Sequence, residues 1–269
     1  MRTDLTSLAD RLRAIGCVFA EDEARLLADA AHDVAQLDDM VGQRAAGRPL
    51  ETVLGSVTFC GVTIALHPGV FVPRPRTRFL AERAVASCLA RQSSDRQPPV
   101  VVDACTGSGA LAAVVASRVG GATVLASDVE PVAVACATAN GARYGFSVYL
   151  CDLMDGLPEE FRGRVSVIVA NVPYVPTGQL PYLPRDVREH EPLRALDGGT
   201  SGLDVFGRLC RAAPSWLAPG AVMMSEVSPA QVPQALAVLE GAGLAPSAAV
   251  DPTSATAVVE GCRPNRWPG

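Results

Sequence analysis

The sequence predicts an α/β protein in which a doubly wound, mostly parallel sheet follows a small helical module. From Val100 onward, short apolar runs alternate with helical segments, and the runs are almost continuously apolar, as in strands buried on both faces. Before the sheet, apolar residues recur at helical spacing instead. We therefore expect a helical module at 1–50, a β-hairpin and connector at 51–77, and a sheet domain at 78–269.

Composition and charge narrow the function classes. The chain has 269 residues, 49% of them hydrophobic, which suits one main core with a small extra module. A net charge of -5 and only 5% aromatic residues argue against a nucleic-acid partner. The 8 cysteines form no Cys-x-x-Cys pair and no zinc-like cluster, so we expect reduced thiols, no metal and a cytoplasmic location. The N-terminus lacks a signal-peptide core and no run is long enough to span a bilayer, so no membrane partner is expected.

The region before the sheet is predicted to contain helices and then a hairpin. Three apolar stripes indicate three short helices: Leu8, Leu12 and Ile15; Leu26, Leu27, Ala30 and Ala31; and Leu37, Met40 and Val41. Three short helices bury little alone, so the module should pack on something or bind something. The run 56–66 predicts a hairpin that turns near Gly61. Two close prolines, Pro73 and Pro75, make the following segment a stiff connector.

The sheet domain is predicted to contain seven strands. They lie at 100–103, 123–127, 146–150, 165–170, 221–227, 244–250 and 256–260. Helices are expected at 107–119, 131–144, 201–217 and 231–242, after a first helix that starts beyond Thr77. Such sheets bind ligands at the carboxyl ends of their strands, so residues that follow strands are the candidate site residues.

A glycine-containing loop follows the first strand of the sheet. Its residues are Asp103, Ala104, Cys105, Thr106, Gly107, Ser108 and Gly109. The glycines allow a ligand to approach the backbone, and the next helix offers free N–H groups. The loop does not match the dinucleotide pattern Gly-x-Gly-x-x-Gly, because Cys105 occupies the first glycine position. The Asp103 carboxylate would repel a pyrophosphate but attract a cationic sulfonium ligand or its amino group. The alternative is a tight strand-to-helix turn with a capping aspartate.

Two further acids follow the second and third strands. Asp128, with Val129 beside it, can accept both hydroxyls of a ribose; the alternative is an acid at a helix N-terminus. Asp152 can accept the amino group of adenine while Leu153 packs on the ring; the alternative is a solvated loop acid. Three acids at three successive strand ends favour S-adenosylmethionine as the ligand.

The segment Asn171 to Tyr174 follows the fourth strand and suits the methylation of an amide. An amide nitrogen is a poor nucleophile, because its lone pair is delocalised into the carbonyl group. If the Asn171 side-chain oxygen and the Val172 carbonyl each accept one N–H, they orient the nitrogen and stabilise its developing positive charge. Pro173 would stiffen the turn and Tyr174 would form a wall near the methyl group. The alternative is an ordinary Asn/Pro turn. His190 is interpreted as a solvated loop residue, and no catalytic triad is assigned.

With these motifs in view, the chain resembles the glutamine-specific protein methyltransferases that modify peptide chain release factors, the HemK or PrmC family. The similar segments are Gly47 to Leu50 with Gly55 and Phe59; Val72 to Thr77, against I-P-R-P-E-T; Asn171 to Tyr174, against N-P-P-Y; and Glu191-Pro192, Ala195-Leu196, Gly198-Gly199 and Gly202-Leu203. The tetrapeptide alone also occurs in DNA adenine methyltransferases. Its combination with the flanking Pro-Arg-Pro and Glu-Pro segments is more specific.

The resemblance implies a Rossmann-like class I S-adenosylmethionine-dependent methyltransferase fold, mostly parallel with an antiparallel last hairpin. It implies cofactor contacts from Cys105 to Gly109 and from Asp128, Leu153 and Asn171. Contacts to the target glutamine would come from Asn171 to Tyr174, with Arg74 on the substrate side. The helical module would help to hold a class I release factor, whose Gly-Gly-Gln loop would enter the cleft. The products would be S-adenosylhomocysteine and a methylated glutamine, and we expect a monomer.

Several positions depart from the family pattern. Val172 replaces the first proline of the tetrapeptide, although its carbonyl remains, and Cys105 replaces the first glycine of the cofactor loop. Arg76 and Arg78 stand where the family has acids, so a local ion pair must be rebuilt. The helical region is also shorter than usual in the family.

Other functions therefore stay open beside release-factor methylation. The short helical region motivates an enzyme of the same chemistry with a different amide or amine acceptor. The substitutions at the site motivate a cofactor-binding protein without turnover. Nucleic-acid methylation is disfavoured, because the chain has no basic face, and a duplex substrate would also require base flipping.

Overall fold

The computed structural model describes residues 4–95, 97–254 and 256–265. It begins with four helices, namely α1 (Leu5–Ala14), α2 (Ala20–Ala30), α3 (Val34–Ala45) and α4 (Leu50–Leu54). Most of the predicted stripe residues are buried in a separate core between these helices. Ile15 and Leu26 differ from the prediction and are exposed. Ile15 lies just beyond the end of α1, where its side chain leaves the packed face.

The helical module contains a fourth short helix besides the three that were predicted. Helix α4 contributes Val53 to the same core as α1, α2 and α3, so the packed helices continue to Leu54. Gly55 follows in a left-handed conformation (φ 69°), which ends the helix and turns the chain toward the hairpin.

The predicted hairpin is present and belongs physically to the sheet domain. Strands β1 (Ser56–Phe59) and β2 (Val62–Ala65) pair in antiparallel fashion. The two turn residues, Cys60 and Gly61, both have positive φ (51° and 79°), as the tightest hairpin turn requires. The buried side chains of the hairpin pack into the core of the sheet domain. They therefore fix the connector that follows, whose last turn (Pro75–Thr77) leads into α5 (Arg78–Asp95).

The sheet has seven strands, as predicted. They are β3 (Val100–Ala104), β4 (Thr123–Asp128), β5 (Ser147–Leu150), β6 (Val165–Ala170), β7 (Leu217–Val227), β8 (Ala245–Asp251) and β9 (Thr256–Cys262). Their order across the sheet is β5-β4-β3-β6-β7-β9-β8, and all neighbouring pairs are parallel except the two that include β9. The expected class I methyltransferase topology with an antiparallel last hairpin is confirmed.

Helices cover both faces of the sheet. Those after α5 are α6 (Ala110–Arg118), α7 (Pro131–Tyr144), α8 (Arg185–His190), α9 (Asp204–Trp216) and α10 (Val232–Gly241). All residues of β6 are buried: Val167 and Val169 face the core with α5 and α6, and Ile168 faces the core with α9 and α10. Strands β4 and β6 lie on opposite sides of β3, so the chain reverses its winding there and leaves a crevice at the carboxyl ends. No helix within the described ranges is long and apolar enough to cross a bilayer.

Candidate active site

A cavity of about 820 Å³ opens in this crevice, at the carboxyl ends of β3, β4, β5 and β6. Its volume falls in the range of small-molecule sites. One part of its wall is the glycine loop together with the acids that follow β4 and β5. The other part is the connector before α5, the turn after β6 and residues of the segment 183–197. The arrangement thus brings most of the predicted site residues to one cavity.

The loop after β3 exposes its backbone to this cavity. Cys105, Thr106, Gly107 and Ser108 line it. A side chain at Gly107 (φ 58°) would meet no atom within 4 Å, so open space faces the backbone there. Cys105 adopts φ 57°, a left-handed conformation that costs a non-glycine residue about 1 kcal/mol. Burial, and then Asp128, raise the pKa of the Cys105 thiol, so it stays protonated and is no nucleophile.

Asp103 and Gly109 do not line the cavity, although they belong to the same loop. Asp103 is fully buried beneath the loop, where its Oδ2 accepts hydrogen bonds from Thr106 Oγ1 (2.6 Å) and from the Ala112 N–H (3.0 Å). Burial raises the pKa of Asp103 to about 7. At Gly109 (φ 81°) a Cβ would lie 2.8 Å from Phe146 Cζ, so this glycine allows packing of the loop. Both residues shape the loop from behind.

Asp128 and Val129 line the cavity where β4 ends. Asp128 Oδ2 accepts a hydrogen bond from the Gly107 N–H (2.9 Å) and its Oδ1 accepts one from the Glu130 N–H (3.0 Å). Each carboxylate oxygen has a second lone pair, so Asp128 can still accept the hydroxyls of a ribose. Val129 is 40% exposed and offers an apolar surface to a ring.

Asp152 and Leu153 also line the cavity, together with Arg208, which was not predicted from the sequence. Asp152 Oδ2 accepts a hydrogen bond from Arg208 Nη2, which reaches over from α9. Leu153 is buried with φ 54°, a strained conformation that aims its side chain at the adjacent core and cavity. Arg208 is separated from Asp152 by 56 residues, so no local pattern pointed to it.

The turn after β6 contains a buried acceptor without a partner. Asn171 Nδ2 donates a long hydrogen bond to Thr77 Oγ1 (3.4 Å), whereas Asn171 Oδ1 has no hydrogen-bond partner among the described residues. A buried, unsatisfied amide oxygen costs about 1–3 kcal/mol and calls for an explanation. Val172 is 1% exposed and Pro173 is partly buried, and both line the cavity beside it.

Tyr174 forms part of the wall and is held by three residues. Its hydroxyl accepts a hydrogen bond from Arg76 Nη2 (2.7 Å) and donates one to Glu226 Oε1 (3.1 Å). Arg76 Nε also donates to Glu226 Oε1 (3.2 Å), which confirms the expected rebuilt ion pair at this arginine. Burial, and then Glu226, raise the pKa of Tyr174 to about 12. Gln231 Nε2 donates to the Tyr174 carbonyl (2.9 Å), so main chain and side chain are both fixed.

Arg74 ties the connector to the segment after α8. It pairs with Glu191 and lies over the Phe71 ring, 5.0 Å from its centroid, and it lines the cavity as predicted. Two glycines pack closely on the turn after β6. A Cβ at Gly198 would lie 2.7 Å from the Pro173 carbonyl oxygen, and one at Gly202 would lie 2.5 Å from the Tyr174 carbonyl oxygen.

His190 and the cysteines other than Cys105 do not line the cavity. His190 lies against the helical module, where a Cβ at Gly47 would be 3.0 Å from its Nε2. Across the described residues, no group of three or more His, Cys, Asp and Glu side chains could hold a metal ion. All eight cysteines are free thiols.

The fold and the cavity together define a class I S-adenosylmethionine-dependent methyltransferase. The family model of ribosomal protein L11 methyltransferase (PrmA) matches residues 84–179. The ribosomal protein L11 methylase of Lactobacillus delbrueckii subsp. bulgaricus has a TM-score of 0.51 and 19% identity, over 75% of this chain and 85% of that chain. A T. Thermophilus 16S rRNA methyltransferase, solved with AdoMet and guanosine, has a TM-score of 0.55 and 22% identity, over 77% of this chain and 49% of that chain. At these identities the likeness concerns the fold alone.

Closer relatives identify the family. The release factor glutamine methyltransferase of Geobacter sulfurreducens is 34% identical over 235 residues, which cover 85% of this chain and 78% of the relative. That of Mycolicibacterium smegmatis is 34% identical over 82% of each chain. The chain belongs to the release factor glutamine methyltransferase family. The 4-amino-L-phenylalanine/4-methylamino-L-phenylalanine methyltransferase of Streptomyces pristinaespiralis is also similar, with 34% identity over 79% of this chain and 72% of the relative.

Proposed function

We propose that this protein transfers the methyl group of S-adenosylmethionine to the side-chain amide nitrogen of a glutamine, in the Gly-Gly-Gln loop of class I peptide chain release factors. The observation that carries the proposal is Asn171 Oδ1, a buried acceptor without a partner in the described part of the chain, at the strand end where the cavity lies. An unsatisfied amide oxygen there fits an N–H donor from the substrate.

The residues around the glycine loop fit the cofactor. Asp128 would accept the ribose hydroxyls with its free lone pairs, and Val129 and Leu153 would enclose the adenine ring. Asp152 would accept the adenine amino group with the oxygen that Arg208 leaves free. Gly107 presents bare backbone to the ligand. When bound, the cofactor supplies an electrophilic methyl group on a positively charged sulfur.

The turn after β6 would prepare the acceptor nitrogen. Asn171 Oδ1 and the Val172 carbonyl each accept one N–H of the glutamine side chain, which turns the nitrogen lone pair toward the methyl group. The same two dipoles stabilise the positive charge that develops on nitrogen. No general base is required, because the methylated nitrogen becomes acidic and loses its proton to water.

A reconstituted reaction tests the proposal. The purified protein is incubated with methyl-labelled cofactor and a purified release factor, and the glutamine is analysed by peptide mass spectrometry. We expect one methyl group on the Gly-Gly-Gln glutamine, none when that glutamine is replaced by alanine, and almost none with Asn171→Ala. Label on other residues, or no label at all, would refute the proposal.

A second candidate acceptor is an aromatic amine on a free amino acid. The similarity to the Streptomyces pristinaespiralis enzyme, at the same 34% identity as two of the release-factor relatives, motivates it. Phe71, Val175 and Leu193 give the cavity apolar walls that an aromatic ring can contact. Competition decides between the two: 4-amino-L-phenylalanine offered together with a release factor should remain unmethylated if the first proposal holds. Calorimetry with S-adenosylhomocysteine detection separates both from a protein that binds the cofactor without turnover.

The proposal also concerns the state of the protein. We propose that it acts as a cytoplasmic monomer, needs no metal and binds neither nucleic acid nor membrane. The eight free thiols support a reducing environment. Size-exclusion chromatography with light scattering, and activity in the presence of a chelator, test these points.

A further inference from the structure

Three side chains from distant parts of the chain converge beside the turn after β6. Tyr174 belongs to the turn, Arg76 to the connector before α5, and Glu226 to the carboxyl end of β7. Arg76 bonds to both of the others, at 2.7 Å and 3.2 Å, and the Tyr174 hydroxyl bonds to Glu226 at 3.1 Å. Each member of this triangle therefore contacts the other two.

The triangle depends on Arg76 for its charge balance. The Glu226 side chain is 1% exposed, and Oε1 accepts both of its bonds while Oε2 accepts none among the described residues. A buried carboxylate needs a nearby cation, and Arg76 supplies it. Because the pKa of Tyr174 is raised to about 12, its hydroxyl keeps its proton and remains a donor to Glu226.

The turn has a reason to need this support. Proline would fix the backbone torsion φ at the second position, whereas Val172 leaves it free. Gln231 holds the main chain at Tyr174, and the phenol is held by Arg76 and Glu226. A displacement of about 1 Å at a reacting group can lower a rate by two orders of magnitude.

We infer that Arg76 is a positioning residue, which fixes Tyr174 and thereby the geometry of the turn that accepts the amide nitrogen. The inference rests on the proposed function, since it assigns Arg76 a part in methyl transfer.

The test compares two arginines of the same segment. Arg76→Met keeps the length of the side chain but removes its charge and its donors. We expect kcat/KM to fall roughly ten- to a hundredfold while the Kd of the cofactor changes less than about twofold. Arg78→Met is the matched control, because Arg78 is exposed and does not line the cavity, and its activity should be unchanged. Full activity of Arg76→Met would overturn the inference.

A double-mutant cycle shows whether Arg76 acts through the phenol. In a Tyr174→Phe background, Arg76→Met should add less than about a twofold loss, because the contact is already absent. Independent, multiplying losses would contradict the inference. The double variant Arg76→Met/Glu226→Gln removes the unpaired carboxylate and should recover thermal stability without recovering activity. If activity returned together with stability, the role of Arg76 would be structural only.

A measurement without substrate keeps this inference separate from the proposed function. The protein has 4 tyrosines, so in tyrosine-labelled protein the ring signal of Tyr174 can be assigned by its loss in Tyr174→Phe. We expect this signal to shift and broaden in Arg76→Met but not in Arg78→Met. An unchanged signal overturns the inference, whereas an ordered Tyr174 in a protein that methylates no release factor overturns the proposed function alone.

Discussion

The replacement of Asn171 by alanine should lower activity without lowering stability. In catalysis, the variant loses one of the two acceptors that hold the amide nitrogen. This loss should lower kcat about 10²–10³-fold, which raises the activation free energy by about 3–4 kcal/mol. In folding, it removes an unsatisfied buried oxygen worth about 1–3 kcal/mol, whereas the lost bond to Thr77 is long (3.4 Å) and weak. The free energy of unfolding should therefore stay equal or rise by about 1 kcal/mol.

Asn140 provides the matched control, because it is a buried asparagine whose amide is fully paired. Its Oδ1 accepts from the Ala65 N–H (2.9 Å), and its Nδ2 donates to the Ala65 and Ser108 carbonyls (2.9 Å each). Asn140→Ala should lower the free energy of unfolding by about 2–4 kcal/mol, since buried backbone groups lose their partners.

Urea denaturation and methyl-transfer kinetics on both variants decide the matter. If Asn171→Ala destabilised the protein as Asn140→Ala does, Asn171 would be a structural residue and our explanation of its orphaned oxygen would be wrong. An Asn171→Ala variant with activity within about threefold of wild type would equally refute the assigned role.

Four further variants probe the loop and the turn. Gly109→Ala should lower the free energy of unfolding by about 2–4 kcal/mol, because the new Cβ meets Phe146. Gly107→Ala should lower it by only about 1 kcal/mol but weaken cofactor binding at least tenfold. Similar stabilities of the two variants would contradict this contrast. Burial raises the pKa of Asp103 from 3.8 to about 7 in the folded protein. Between these two values the folded state binds a proton that the unfolded state has lost, so the free energy of unfolding falls as the pH rises from about 4 to about 7. Asp103→Asn should remove this part of the slope in denaturation curves, and an unchanged slope would disprove it. Val172→Pro should keep its activity and gain about 0.5–1 kcal/mol in thermal denaturation, and lost activity would show that more than the carbonyl is needed.

The sequence predicted the sheet well because its strands are buried on both faces. The run 165–170 is short and continuously apolar, which in a doubly wound protein is typical of a strand buried on both faces. Strand β6 occupies these residues. The hairpin could also be predicted from the sequence, because Gly61 lies in its turn. The fourth helix of the module was not predicted, because the contribution of Val53 to the core depends on tertiary packing.

Asp128 and Asn171 line the cavity because both stand at a strand end: Asp128 is the last residue of β4, and Asn171 directly follows β6. Asp103 does not line the cavity, because β3 continues to Ala104 and leaves Asp103 inside the strand, on the same face as buried Val101. If the predicted strand had included Ala104, it would have placed Asp103 inside the strand and not at its end.

Partners from distant segments were beyond a local pattern. Arg76 and Glu226 are 150 residues apart, and only the fold brings them together. One signal was nevertheless present, because Glu226 is a lone acid in an otherwise apolar run, and a buried acid requires a partner. Arg76 supplies this partner.

The most direct test of the central claim is mass spectrometry of the Gly-Gly-Gln glutamine in cells that lack any other release factor glutamine methyltransferase. Complementation with the wild-type protein should add one methyl group to the side-chain nitrogen of that glutamine, and complementation with Asn171→Ala should leave it unmodified. An unmodified glutamine with the wild-type protein, or equal methylation by both proteins, would contradict our account of this site.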